Sequence, residues 1–177
     1  SSEEVISRNY LVDGHPDVII DIVDASNLER NLYLTTQLME FGVPVVVALN
    51  QMDIVKKRGY TIKSKELSEQ LQVPVVEISA LKGDGLEDLV ATAVKAAREG
   101  IVPQPVRFTP ELEVALAKIE DKLPSVMPDS MHRYYAIKLF ERDKDAVEEI
   151  GTKVNCDDII FEAEALFNDS SDAIITN

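Results

Sequence analysis

Apolar residues along this chain follow two alternating rhythms as far as Gly100 and a single one beyond it. Val18-Ile19-Ile20, followed by Ile22-Val23, is a short run rich in β-branched side chains, which predicts a buried strand. Ahead of it, Val5, Ile6, Tyr10 and Leu11 share one side of a helix over Ser2–Gly14, with Gly14 as its stop. Behind it, Ser26 and Glu29 have capping-box spacing and open a helix carrying Leu32, Leu34, Leu38 and Met39 that stops at Gly42. Pro44 starts a second buried strand, Val45-Val46-Val47-Ala48-Leu49. A helical stretch covers Lys63 to Leu71, and a third short strand covers Val73 to Ile78. Gly83 and Gly85 form a turn, and a long amphipathic helix runs from Leu86 to Arg98, ahead of Gly100. Strands alternating with helices imply a parallel sheet with helices packed on its faces.

After Gly100 the strand-like runs cease. Pro103, Pro105 and Pro110 mark a linker, and Thr109-Pro110 starts a helix with proline at its first position. Leu112, Leu116, Ile119 and Leu123 recur at helical spacing until Pro124 and Pro128 break the pattern. Further helices are predicted over Asp129 to Phe140, Asp143 to Ile150 with Gly151 as stop, and Asp157 to Phe167. Tyr134, Tyr135, Ile137 and Phe140 supply the core of this part. The expected organisation is an α/β domain over residues 1–102 and a small all-helical domain over residues 103–177.

Charge narrows the partners. With 32 acidic against 18 basic residues the formal charge is −14, which repels phosphate backbones and anionic lipid. Nucleic acid is therefore not an expected partner. Cys156 is the single cysteine, so no disulfide forms within the chain, in keeping with a reducing compartment. No apolar run approaches the ~20 residues that cross a bilayer. Ser1 to Arg8 is too polar and acidic for a signal peptide.

Ligands of a parallel sheet gather at the carboxyl ends of its strands. Here those ends are Asp24-Ala25-Ser26, Asn50-Gln51-Met52-Asp53 and Ser79-Ala80-Leu81-Lys82-Gly83. Asn-x-x-Asp directly after a buried strand is how P-loop GTPases recognise guanine. The base offers two parallel donors, N1–H and the exocyclic amino group, and an ionised carboxylate accepts both. Adenine lacks that pair and would leave Asp53 unsatisfied, a loss of about 1–3 kcal/mol. Asn50 would brace the loop and contact the base. Ser79-Ala80-Leu81 follows the next strand, where small residues let backbone N–H groups approach the guanine carbonyl and Gly83 permits the turn. Asn-x-x-Asp alone is equally a solvated turn, and Ser79 alone a cap; two motifs in order at consecutive strand ends favour a guanine site. Asp24 reads as a turn cap, with a place beside the nucleotide as the alternative.

The stretch Glu-Glu-Val-Ile-Ser-Arg-Asn-Tyr-Leu, then Pro-Asp-Val-Ile-Ile, then Val-Asp-Ala-Ser-Asn-Leu-Glu-Arg-Asn-Leu-Tyr-Leu-Thr-Thr-Gln-Leu resembles the cytosolic G domain of bacterial ferrous-iron transporters of the FeoB family. The resemblance runs from Glu3 to Arg98, and the helical tail matches in placement and character. It implies a P-loop GTPase-like sheet, in which residues 1–102 are the C-terminal part of the G domain. It also implies GTP/GDP as ligand and Mg2+ for hydrolysis. The helical domain is expected to modulate nucleotide release and to lead into the membrane-spanning part of the same transporter. The location implied is the cytoplasmic face of the bacterial inner membrane. The site residues carried over are Asn50, Gln51, Met52, Asp53, Ser79, Ala80 and Leu81. Homo-oligomerisation stays open.

Three departures stand out. None of the seven glycines fits G-x-x-x-x-G-K-[ST], and the Asp-x-x-Gly of the second switch is missing, so no catalytic residue is assigned within the chain. About 60–90 further residues in front would be needed for a whole P-loop G domain, and without them the first strand is expected to expose a fully hydrophobic edge. Gln51 stands where most GTPases carry Lys, as the FeoB family generally does not, which implies weaker nucleotide holding. Asp21 falls inside a buried strand, so a partner or a place near the strand end is expected for it. His15, His132 and Cys156 lack ligand spacing, so no metal site is assigned. Cys156 has no nearby histidine and is flanked by Asp157 and Asp158, a poor setting for a nucleophile. Lys56-Lys57-Arg58 reads as a solvated helix end. The alternative to a GTPase is a non-catalytic interaction module built on a half G domain.

Overall fold

The computed structural model describes residues 10–11, 14–150 and 154–176. The helix expected over Ser2–Gly14 lies mostly outside these, although Tyr10, Leu11 and Gly14 are helical. Gly151, the expected stop of a later helix, also lies outside them. The chain divides into two compact units, with the break between Pro105 and Val106, inside the proline-marked linker.

The first unit is built on a three-stranded parallel sheet in the order β1-β2-β3, with β1 at Ile19–Asp24, β2 at Val45–Asn50 and β3 at Val75–Glu77. Strand β2 is central and buried from Val45 to Leu49. Burying such a side chain contributes about 1.5–3 kcal/mol, so this run anchors the unit. One sheet face presents Ile19, Val23, Val45, Val47 and Leu49 to Met39, Met52, Val55 and Val73. Helix α1 (Leu28–Leu38), α2 (Met52–Lys57) and α3 (Ser64–Leu71) supply this side. The other face packs Val46, Ala48 and Ile78 against Leu89 and Ala96 of α4 (Leu86–Glu99).

Two expectations about β1 and α1 are corrected. Strand β1 is not buried throughout: Ile19, Asp21 and Val23 point inward, whereas Ile20 and Ile22 are 41% and 64% exposed, so the side chains this edge strand exposes are apolar. Within the described residues only one face of this strand is covered, so burial alternates with the pleat. The Ser26/Glu29 capping box is also not what opens α1. Asp24 Oδ1 accepts the Ser26 N–H at 2.8 Å and the Ser26 hydroxyl at 2.7 Å, capping a 3-10 turn over Ala25–Asn27 from which α1 continues. Leu34 is exposed, while Thr35 is fully buried because its hydroxyl donates to Asp21 Oδ2 at 2.5 Å. This is the partner that Asp21 requires. Burial pushes the Asp21 carboxyl up, and the Thr35 hydrogen bond offsets this only in part.

The second unit is helical: α5 (Pro110–Glu120), α6 (Asp129–Phe140), α7 (Lys144–Ile150), α8 (Asp157–Phe167) and α9 (Ser171–Thr176), the last not foreseen. Thr109 caps α5, and Asp143 Oδ1 accepts the Ala146 N–H at the start of α7. Leu112, Leu116, Ile119, Leu123, Tyr135, Ile137 and Phe140 are all buried in its core. Glu113 receives Arg133 on both carboxylate oxygens and the Phe108 N–H at 2.8 Å, which ties the start of this unit to α6. Cys156 is buried, and that burial first of all pushes its thiol up. No described helix is long and apolar enough to cross a membrane.

Candidate guanine-recognition site

Parallel strands in register bring their carboxyl ends to one edge of the sheet. Asp24 lies beside Asn50 and Leu49 beside Glu77, so the loops after β1, β2 and β3 emerge together. The β2 loop turns sharply. Gln51 adopts a left-handed conformation with φ 65° and ψ 25°, and α2 begins at the next residue. A left-handed non-glycine residue costs about 1–2 kcal/mol, so something must hold it there. Asn50 does so, because its side-chain oxygen accepts the Gln51 N–H at 2.9 Å. The same oxygen accepts the Ala80 N–H at 3.0 Å, crossing to the β3 loop. Met52, 4% exposed, drives α2 into the core, and its N–H donates to the Ile78 carbonyl at 3.2 Å. These bonds place Asp53 on the first turn of α2, facing the β3 loop.

That loop is wound around one carbonyl. Ser79 O accepts N–H groups from Lys82 at 3.1 Å, Gly83 at 2.9 Å and Asp84 at 3.2 Å, while the Ser79 N–H donates to Asp84 O at 3.0 Å. Ser79 is buried and Leu81 projects at 96% exposure. Lys82 reaches back to α2, with Nζ 3.0 Å from Asp53 Oδ2. The Lys82 contact is the main reason the Asp53 carboxyl lies below its ordinary range; burial opposes it, and the Ser79 hydroxyl and the Ile54 N–H support it.

Sequence reasoning thus names residues that the fold does bring together: Asn50, Gln51, Met52 and Asp53 on one loop, Ser79, Ala80 and Leu81 on the other. It misses three connections. The Ala80 N–H, expected to face a base carbonyl, is engaged by Asn50. Lys82 on Asp53 is unforeseen, although it stands inside the same short string as Ser79. Lys56 is not merely solvated, since it meets Glu77 Oε2 at 3.1 Å, and Ser64 Oγ donates to the other Glu77 oxygen at 2.8 Å. Asp24 acts as a turn cap. Among the described residues no three His, Cys, Asp or Glu side chains gather as metal ligands.

Residues 1–93 match the sequence family described as Ferrous iron transport protein B, and residues 108–177 match the one described as FeoB cytosolic helical domain. The chain belongs to the FeoB family. The Fe(2+) transporter FeoB of Escherichia coli K12 is 37% identical over 144 residues, 81% of this chain and 18% of that protein. A Fe(2+) transport protein A/FeoB fusion protein from Porphyromonas gingivalis is 39% identical over 161 residues, 85% of this chain and 19% of that protein. The chain therefore spans about a fifth of the length of these curated relatives. Among solved FeoB structures, NFeoB from S. thermophilus bound to GDP.AlF4- and K+ superposes with a TM-score of 0.86 at 39% identity, covering 99% of this chain and 70% of that one. A mutant of the same NFeoB bound to GDP gives a TM-score of 0.87 at 38% identity, covering 99% and 69%. The sequence reading places the front unit as the C-terminal part of a G domain; the family match assigns it instead to the N-terminal G domain of FeoB. The parallel sheet with flanking helices and the appended helical domain are those of FeoB.

Proposed function

We propose that this chain provides the guanine-recognition site of a GTP-hydrolysing domain that regulates a ferrous-iron membrane transporter at the cytoplasmic face of the inner membrane. Asp53 accepts the two donors of the guanine edge, Asn50 holds Gln51 and the Ala80 loop in place, and Leu81 closes over the base. The observation that carries this reading is the Asn50 oxygen bonded to both loops, which fixes the distance between Asp53 and the backbone of Ser79-Ala80-Leu81. Because Ala80 is engaged, the Leu81 N–H is the donor assigned to the guanine carbonyl. Guanine nucleotides in the solved relatives support this choice of ligand.

Residues 1–102 form the nucleotide-binding domain and residues 103–177 the helical domain, which tunes nucleotide release and couples it to the membrane-spanning part. G-x-x-x-x-G-K-[ST] does not occur among these 177 residues, so GTP is bound here by its base and the chain alone does not turn it over. No residue at this edge of the sheet is assigned to the magnesium ion of such hydrolysis, since among the described residues no three His, Cys, Asp or Glu side chains gather as ligands. No step of the function proposed for these residues runs through it.

The test is Asp53→Asn, read by calorimetric titration with GDP and xanthosine diphosphate. Xanthine carries a carbonyl where guanine has its amino group, so the variant should lose GDP and gain the xanthosine nucleotide. An unchanged preference would remove Asp53 from the site. A non-catalytic interaction module is the second reading, favoured by the exposed Ile20 and Ile22 on the uncovered face of β1.

A further inference from the structure

The Asp53 carboxylate already holds a donor from its own chain, the Lys82 ammonium at 3.0 Å. We propose that Lys82 is an intramolecular latch on the base site, standing in for the guanine edge on Asp53 until an arriving base displaces it. This rests on Asp53 being the guanine acceptor, and it adds an intramolecular competitor to that reading.

The geometry suits a latch. The Lys82 backbone is fixed, because its N–H is one of three that converge on Ser79 O. Its side chain is not fixed in the same way: it is 54% exposed, against 22% for Asp53. The lysine can therefore swing into water without moving the loop, leaving the Asp53 carboxylate with the Ser79 hydroxyl and the Ile54 N–H as its remaining donors. A half-exposed ion pair of this kind shifts an equilibrium about two- to five-fold, small enough for a bidentate, charge-assisted guanine pair to overcome. Adenine has no matching donor pair and cannot replace what it would have to expel. The latch thus sets the affinity that an arriving base must overcome, and the pairing with Asp53 decides which base can do so. The lowered Asp53 carboxyl has the Lys82 contact as its main cause, in keeping with that pairing.

Guanosine is the probe for the test, because it carries no phosphate charge of its own and salt then acts on the latch alone. Its affinity for the 177-residue chain would be measured by NMR titration at low and high salt. The proteins compared are wild type, Lys82→Met, Lys82→Arg and Asp53→Asn. The expected result is that Lys82→Met binds guanosine about two- to five-fold tighter than wild type at low salt. That gap narrows as salt screens the ion pair, and Lys82→Arg behaves as wild type. The wild-type affinity should itself rise with salt, a readout that requires no substitution. Equal or weaker binding by Lys82→Met, or a wild-type affinity that does not rise with salt, overturns the latch; loss of binding in Asp53→Asn then leaves the base-recognition reading standing. If Asp53→Asn binds as wild type does, or no protein binds guanosine, the base-recognition reading falls and the latch falls with it.

Discussion

One added methyl group should have very different effects at two glycines of the same turn. Gly83 and Gly85 both hold left-handed backbone, with φ +78° and +74°. At Gly83 a Cβ would meet nothing within 4 Å. At Gly85 it would fall 2.3 Å from the Glu77 carbonyl oxygen and 3.2 Å from Ile78 Cγ2, where real Cβ atoms essentially never come within 3.0 Å. Gly83→Ala therefore carries only the handedness penalty of about 1–2 kcal/mol, less about 0.4–1 kcal/mol from a stiffer unfolded chain. Gly85→Ala adds the displacement of a backbone carbonyl at the end of β3, and overpacking of that kind costs about 1–3 kcal/mol. The expected gap between the two variants is at least about 1 kcal/mol, with Gly85→Ala the less stable. The assay is amide hydrogen exchange at Val47 and Ile78, whose N–H groups bond to Pro74 O and Leu49 O across the sheet. Those amides report on the first unit without mixing in unfolding of the helical one. Equal protection in the two variants, or lower protection in Gly83→Ala, would refute the Glu77 carbonyl as the reason for glycine at position 85.

Two further outcomes follow from the same contacts. Asn50→Ala should destabilise the first unit by about 1–2 kcal/mol, from two lost backbone hydrogen bonds of which one donor is exposed, and weaken guanine-nucleotide binding; Asn50→Asp, which keeps the acceptor, should retain most of both in urea denaturation and calorimetry. Asp21 has a folded pKa raised by burial, so its contribution to stability is fully present below the ordinary carboxylate pKa and is lost as pH rises through the raised value. Asp21→Asn should therefore be more stable than wild type at neutral pH and lose that advantage in acid; urea midpoints that differ equally at both pH values would contradict it.

Much of the fold was legible because its elements are uniform. The apolar run of β2 reads as a central strand, and Leu112, Leu116, Ile119 and Leu123 read as one helix face. The site was legible as types and spacing: Asn50 and Asp53 follow β2, and Ser79 follows β3. What was hidden depends on partners distant in sequence. Thr35 is buried in place of Leu34 because Asp21, fourteen residues earlier, needs its hydroxyl. Ser26 reads as a helix cap until Asp24 is seen to hold it. The six residues of α9 carry too short an apolar pattern to register as a helix. The left-handed turn at Gln51 has no glycine to announce it, since the Asn50 side chain holds it in place. Lys82 looks like any surface lysine until the turn at Ser79 aims it at Asp53.

The Asn50 oxygen that serves both loops also limits how base preference can be altered. The β3 loop of this chain, moved alone to another scaffold, would arrive without the acceptor that seats its Ala80 amide, unless the graft brought Asn50 and its left-handed neighbour as well. Drift in one loop is likewise checked by the other, because a shift at either end pulls on the same atom. On the proposed guanine reading, nucleotide choice therefore belongs to the pair of loops, and an engineer moving it to another scaffold would have to move both.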